Sequence, residues 1–531
     1  MKKNQLLGFA LILAILSSAA SVMGQATSEQ WVARYYGPGY SFDEANATAV
    51  DPSTGNIYVT GQSGGDYATV AYDRSGNVMW SALYDGPASG LDGANAVAVD
   101  PDSGNVYVTG HSQGDYATVA YDKMGNMLWA TRYNGPGNST DEAVAVAVDP
   151  GTGAVYVTGY SRGERYDYAT LAYDANGNQL WAARYNGPDN WHDEACAIAV
   201  DPAAGSIYVT GYCWAASCDY ATVAYDRSGN LRWAVRHDGP RGDMDKAYAL
   251  AVDPSSGNVY VTGMSKGASS DYATVAYDRS GTLLWVAEYD GPGNSMDSAT
   301  SVAVDPSSGN VLVTGSSRDT FNDYATVAYS SSGNFLWAAR YNGPAGLHDA
   351  ATSIGVDAAT GNIYVTGYSL SANNDYATVA YSSSGGELWT ARYDGPESAY
   401  DVANALALDP SAGSVVVTGR SDSNGTGSDY ATLKYGGENS VDPMTLLMSL
   451  LSQVEGMVDS GLLAPNRAAP LLTKLKRALD KLQKEIVNPA CNQLEAFINQ
   501  VEAYVRSGKL TEEQAKPLIE AAKGIITALM E

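Results

Sequence analysis

The chain has 531 residues, 45% of them hydrophobic, so it can bury a sizeable core. Its formal charge of −27, most of it within residues 25–438, repels phosphate backbones and argues against nucleic acid as a partner. Four Cys and four His, with no CxxC pair and no HExxH, give no zinc pattern.

Residues 1–24 read as a secretory signal. Lys2 and Lys3 form the basic start, Leu6 to Leu16 the apolar core, and Val22 and Gly24 the small residues before a cut at Gln25. The apolar run is too short to span a bilayer. No Cys follows it, so a lipoprotein is not indicated, and the mature chain carries no second long apolar stretch.

From Trp31 onward the chain repeats itself. The tetrapeptide DYAT begins at Asp66, Asp115, Asp167, Asp219, Asp271, Asp323, Asp375 and Asp429, in steps of 49, five of 52 and one of 54. Such a period marks stacked supersecondary units. In the first copy four alternating runs cover about 45–50, 56–60, 67–72 and 78–84, rich in Val, Tyr, Thr, Ile and Trp. Turns such as DPSTGN and DRSGN separate them, with Gly supplying positive φ. Four antiparallel strands per unit and no helical period predict propeller blades. The run Trp31 to Pro38 copies a fourth strand but lacks a preceding three, while 401–435 supplies three strands and stops. The two fragments complete one blade, which closes the ring and removes two bare sheet edges. The outer-strand tryptophans Trp31, Trp80, Trp129, Trp181, Trp233, Trp285, Trp337 and Trp389 predict eight blades, each indole packing between neighbours. Ala45, Ala94, Ala143, Ala195, Ala247, Ala299, Ala351 and Ala403 open the strand nearest the axis, where space is short. The 1–2 and 3–4 turns share one nearly constant face. The 2–3 loops and blade-to-blade loops share the other and vary (QSGG, YSRGERY, YCWAASC, SSRDTFN, RSDSNGTGS), which nominates it as the working face.

The pattern D-x-A-x-A-V-D-P…G-N-x-Y-V-T-G…D-Y-A-T-V-A-Y-D…G-N-x-x-W resembles the bacterial and archaeal SBBP-type β-propeller repeat of secreted and cell-surface proteins. That resemblance implies a binding or scaffold role and supplies no catalytic residues. The family's name implies seven blades, and this sequence departs from it by counting eight.

A linker at 436–443 precedes a Leu-, Ala-, Glu- and Lys-rich tail, so the domains are expected at 25–437 and 438–531. Helical spacing predicts four helices at about 443–459, 466–485, 489–507 and 511–530. Thr511 to Gln514 forms a capping box, and Gly461 and Gly508 act as stops. Residues 454–472 align with 501–519, so two similar αα-hairpins form a small all-α bundle. The stretch QLEAFINQVEAYVRSGKLTEEQAKPLIEAA resembles the FIMAH-type helical module of secreted bacterial proteins, which implies an accessory role in attachment or association.

Asp43, Asp92, Asp141, Asp193, Asp245, Asp297, Asp349 and Asp401 stand just before the inner strand at the mouth of the axial channel. The plain reading is that each caps its loop; the alternative is calcium, which takes clustered carboxylates. Eightfold invariance favours the plain one, and no cofactor is expected. Trp191, His192 and Trp214 lie on adjoining variable loops and suit stacking on a sugar or a protein surface. Tyr40, Phe42, Phe321 and Tyr400 join them as candidate ligand contacts on that face. Plain loop cover is the competing explanation for all of them. Cys213 and Cys218 flank one loop and are expected to form a disulfide in an oxidising compartment, while Cys196 is a small inner-strand hydrophobe.

Two enzyme classes were weighed. The run from Ala71 to Trp80 resembles the tryptophan-docking repeat of quinone-dependent dehydrogenases, but its turn is one residue shorter and no cofactor site accompanies it. A lyase or glycosidase needs an acid and a base in unlike surroundings, for which Glu44, Glu142 and Glu194 qualify by location alone. The sequence therefore points to an exported, non-catalytic binding or scaffold protein for an extracellular polysaccharide or protein. A structural surface-layer component is the further alternative.

Overall fold

The computed structural model describes residues 29–38, 42–87, 90–215, 217–396, 398–423, 427–436, 463–482, 484 and 486–511, with individual positions between 447 and 457 and between 515 and 529. The expected leader, Tyr40, Gly461 and most of the Thr511 capping box lie outside the described residues. The chain divides into two units, 1–435 and 436–531.

The first unit is an eight-bladed propeller of four-stranded antiparallel sheets. Blade 1 shows the pattern: β2 (Asp43–Val50), β3 (Ile57–Ser63), β4 (Asp66–Tyr72) and β5 (Val78–Tyr84), in that spatial order. Blades 2 to 7 repeat it over 92–133, 141–185, 193–237, 245–289, 297–341 and 349–393. Blade 8 is composite. Its β30 (Asp401–Asp409), β31 (Ser414–Ser423) and β32 (Gly427–Tyr435) take β1 (Glu29–Tyr35) as their outer strand, with Val32 opposite Leu433. The closure expected from the two sequence fragments is therefore formed.

Local chemistry explains the blade. The Asp51 carboxylate accepts the Ser53 N–H (2.8 Å) and the Thr54 hydroxyl (2.6 Å), folding the 1–2 turn. Asp73 does the same for Ser75 and Asn77 in the 3–4 turn. Strand β2 carries a bulge between Ala45 and Ala47, opposite Gly61. A Cβ on Gly61 would meet the Glu44 carbonyl at 1.9 Å, so glycine is required at the end of YVTG. The bulge turns the Asn46 side chain sideways, and its amide donates to the Ala94 carbonyl of the next inner strand (2.8 Å).

Two devices join the blades. Six of the outer tryptophans lie between aromatic rings of their own and the next blade, as Trp80 does between Tyr58 and Tyr121, while Trp31 and Trp337 meet a tyrosine of the next blade alone because Val416 and Leu312 replace the tyrosine of their own. Among the described residues, seven of these tryptophans donate the indole N–H to a carbonyl in the neighbour's 3–4 turn, as from Trp181 to Arg227 (2.9 Å). The turn glycine must be bare: Gly76 sits at φ +84°, and a Cβ there would press on the Trp31 ring. The second device is the buried DYAT tyrosine. Tyr67 donates its phenol to the Ala117 carbonyl, Tyr116 to Ala169, and so on round the ring until Tyr430 donates to Ala68, all at 3.0–3.2 Å. This is why the repeats use tyrosine where phenylalanine would fill the same volume. Each phenol exchanges a bond to water for one to the adjacent sheet.

In the second unit, α1 (Pro465–Leu482) buries Ala468, Leu471, Leu475, Ala478 and Leu482. The longer α2 (Val487–Arg506) buries Ala490, Leu494, Phe497, Val501 and Tyr504. Positive φ at Gly508 ends α2, with its N–H on the Val505 carbonyl. Leu447, Leu450, Val454, Leu518, Ala522 and Ile525 join the same core, and the described residues of both flanking stretches are helical. No helix among the described residues is long and apolar enough to cross a membrane.

Candidate functional site

The variable face is built on the ring aspartates. Asp43, Asp92, Asp141, Asp193, Asp245, Asp297, Asp349 and Asp401 are all buried. Each accepts the N–H of the Gly-Pro glycine six residues earlier, at 2.6–2.8 Å. Asp141, Asp245 and Asp297 also accept a backbone N–H from their own 2–3 loop, at Arg162, Lys266 and Arg318. The ring thus pins the blade-to-blade loops to the inner strands. Burial pushes the carboxyls of Asp193 and Asp401 up to about 6, against backbone and side-chain hydrogen bonds that pull the other way.

Further out, an arginine from the outer strand meets the DYAT aspartate of its own blade. The pairs Arg34–Asp429, Arg132–Asp115, Arg184–Asp167 and Arg340–Asp323 close at 2.6–3.0 Å, and Arg236–Asp219 and Arg392–Asp375 are joined as well. Blades 1 and 5 place Leu83 and Glu288 at that position instead.

Non-repeat side chains gather over blades 3 to 5. In blade 3, the Arg165 guanidinium lies over the exposed Trp191 ring at 5.1 Å. His192 contacts Tyr166 (5.3 Å between centroids), which stands edge-on to Tyr160. The Tyr160 phenol donates to Glu142, and the Tyr212 phenol to Glu194. Lys246 of blade 5 reaches back over Tyr212 (4.3 Å) and Trp214 (5.7 Å). The Trp214 N–H donates to the His192 carbonyl (2.9 Å), so the two loops that carry the extra tryptophans are tied together. Their indoles nevertheless engage different cations at different seams. A second aromatic group spans the ring closure, where Arg420 of blade 8 lies between Phe42 (4.5 Å) and Tyr400 (5.3 Å). Phe321 stands edge-on to His348 at 5.0 Å, away from both groups.

The structure therefore brings Trp191, His192 and Trp214 into one patch, joins Phe42 to Tyr400 in another, and leaves Phe321 apart. Sequence reading missed the cations. Arg165, Lys246 and Arg420 were legible only as departures from the repeat at their positions, and their ring partners come from other loops. Glu142 and Glu194 were noted by location, but their tyrosine partners were not.

Cys213 and Cys218 correct an expectation: both are buried free thiols. The register pairs Trp214 with Cys218 and Cys213 with Asp219. Directly opposed residues share a sheet face and successive ones alternate, so the two sulfurs point to opposite faces and cannot bridge. Burial pushes both thiols up to about 12, which makes them poor nucleophiles. Cys196 and Cys491 are free as well.

Residues 447–527 match the FIMAH domain family. Residues 170–407, less than half of the chain, match the family described as outer membrane protein assembly factor BamB. The chain is a β-propeller protein with a FIMAH module. Among solved structures, Sqt1 from Chaetomium thermophilum aligns with a TM-score of 0.50 at 14% identity, over 78% of this chain and all of that one. The Dos1 propeller aligns at 0.47 and 12%, over 76% and 95%. The periplasmic gluconolactonase PpgL of Pseudomonas aeruginosa aligns at 0.40 and 13%, over 66% and 95%. At these identities the likeness to Sqt1 speaks for the fold alone. No curated protein matches the chain.

Proposed function

We propose that this protein is an exported, non-catalytic binding protein whose propeller presents the loop patch of blades 3 to 5 to an extracellular polysaccharide, with the helical module serving attachment. The observation that carries this reading is that both tryptophans outside the repeat pattern, Trp191 and Trp214, lie on two loops tied to one another. Trp191 is half exposed and Trp214 partly so, and each faces a cation. Flat rings with an adjacent cation suit stacking on sugar faces together with contacts to hydroxyl or carboxylate groups. The resemblance of the repeat to the SBBP type and the secretory leader expected at 1–24 favour export.

The test is a pull-down of the full chain against insoluble polysaccharides and cell envelopes, with a Trp191→Ala/Trp214→Ala variant beside it. Loss of capture in the folded variant supports the patch. Capture by both alike removes the patch from the function. A protein as the captured partner would replace the polysaccharide and keep the site, and self-assembly without capture would favour the surface-layer reading.

A second reading, catalysis, rests on the BamB-type match and on the Glu142–Tyr160 and Glu194–Tyr212 pairs. Burial and the facing glutamates push both phenols well above the ordinary tyrosine range, so neither is poised as a base near neutral pH. An absorbance scan for a bound quinone and a lyase screen would decide it.

A further inference from the structure

We propose that the seam between blades 1 and 2 holds a calcium ion, bound by Asp66, Asp85 and Asp92. The three residues offer carboxylate oxygens that lie within 4.8 Å of one another. Asp66 is the DYAT aspartate of blade 1, Asp85 precedes the Gly-Pro of the same blade, and Asp92 is the ring aspartate of blade 2. Asp92 is 1% exposed, and its Oδ2 accepts the Gly86 N–H, but its Oδ1 is buried without any hydrogen-bond partner. Beside it across Gly86, the hydroxyl of the fully buried Ser112 is unpartnered too. Buried polar oxygens without donors are rare, and a cation satisfies them where no N–H does.

The other blades show what the seam lacks. Six DYAT aspartates are neutralised by the arginine of their own outer strand, and blade 1 carries Leu83 there. Three blades have asparagine in place of Asp85: Asn134, Asn186 and Asn342. Blade 1 thus combines the extra carboxylate with the missing guanidinium. A hard cation that takes carboxylate and hydroxyl oxygens meets this donor set, and calcium accepts the irregular geometry that magnesium refuses. Asp85 is exposed, which leaves an entry path.

Similar trios occur at three other seams. Asp219–Asp238–Asp245 and Asp375–Asp394–Asp401 are served by Arg236 and Arg392, so the trio of Asp401, whose Oδ1 is unpartnered like that of Asp92, already holds a guanidinium. Asp271–Asp290–Asp297 lacks an arginine, but both Asp297 oxygens accept backbone N–H groups, from Gly291 and Arg318. The proposal is therefore confined to the first seam.

The experiment is calorimetric titration of the chelator-stripped full chain with calcium, alongside thermal melts with and without the ion. One calcium per chain is expected, with an affinity in the range of extracellular modules, about 0.1–1 mM, and a melting temperature raised by the ion. Two variants use residues that the other blades already accommodate. Leu83→Arg supplies the missing guanidinium and Asp85→Asn removes one carboxylate. Each should weaken calcium at least about tenfold while the fold persists. Asp290→Asn should leave binding unchanged. Absence of binding at about 10 mM calcium, binding unaltered in both variants, or binding lost in Asp290→Asn would each overturn the assignment. The outcome is independent of the polysaccharide test.

Discussion

The two faces of the propeller treat the same residue in opposite ways. On the constant face, the turn aspartates Asp51, Asp253, Asp305 and Asp409 feel burial pushing their carboxyls up, and hydrogen bonds from turn hydroxyls and N–H groups outweigh it, so all four end below the ordinary range. Asp73, Asp122, Asp174 and Asp226 are lowered chiefly by the asparagine four residues on. On the variable face, Asp66, Asp115, Asp193, Asp271, Asp349 and Asp401 are raised, by burial first and by neighbouring charges second. The turns are therefore a finished structural device, while the opposite rim holds charge in tension. Crowded carboxylates of that kind are what a site for cations or polar ligands requires.

Four measurements probe this difference between the faces. The largest effect is expected at Asp409, which is buried and holds the buried Lys434 (3.1 Å) together with Arg74. Asp409→Ala strands Lys434 in the closing blade and should cost about 4 kcal/mol in chemical denaturation. Next, Trp181→Ala removes an indole packed between Tyr156 and Tyr225 and its bond to Arg227, for about 3 kcal/mol. A loss below 1 kcal/mol would mean that the tyrosine ring of bonds carries the blade interface alone.

The third test is pH. A ring carboxyl raised to about 6 in the fold and near 3.8 when unfolded binds its proton more tightly in the native state. Stability therefore falls as pH rises from about 4 to about 6. The lowered turn carboxyls act the other way, contributing stability above their unfolded pKa that is lost as pH falls through the folded one. Thermal melts should peak near pH 4. Asp193→Asn should raise stability at pH 7 by about 1 kcal/mol and flatten the slope on the alkaline side of that peak. The smallest effect is expected from Trp191→Ala, within about 0.5 kcal/mol, because the ring is half exposed; its consequence should appear in ligand capture alone.

Much of this was legible in the chain, for a physical reason. A repeat writes the same local instruction eight times. The alternation in Ile57 to Ser63, the Asp-Pro turn at Asp51 and the lone fourth strand at Trp31 led to strands, turns and ring closure, because each depends on neighbours close in sequence or on a copy of them. The candidate site was less legible because it is made of departures from the repeat. Trp191 and Trp214 stand out by type alone, but Arg165, Lys246 and Arg420 acquire meaning only through loops 20 to 378 residues away, such as Phe42 beneath Arg420. Cys213 and Cys218 looked like a bridge by spacing, and strand register turned their side chains apart.

The blade, the blade count, the closing strand, the Trp contact between blades and the switch to a helical module follow from the chain alone, because periodicity and turn chemistry are local properties. Packing in the folded ring sets which partner each side chain meets. It joined Tyr430 to Ala68 across the closed ring, gave six DYAT aspartates an arginine and withheld one from Asp66, and set three carboxylates within 4.8 Å at a seam between blades. Those pairings come from packing identical units side by side, where one substitution in one copy changes the charge balance of the seam it faces.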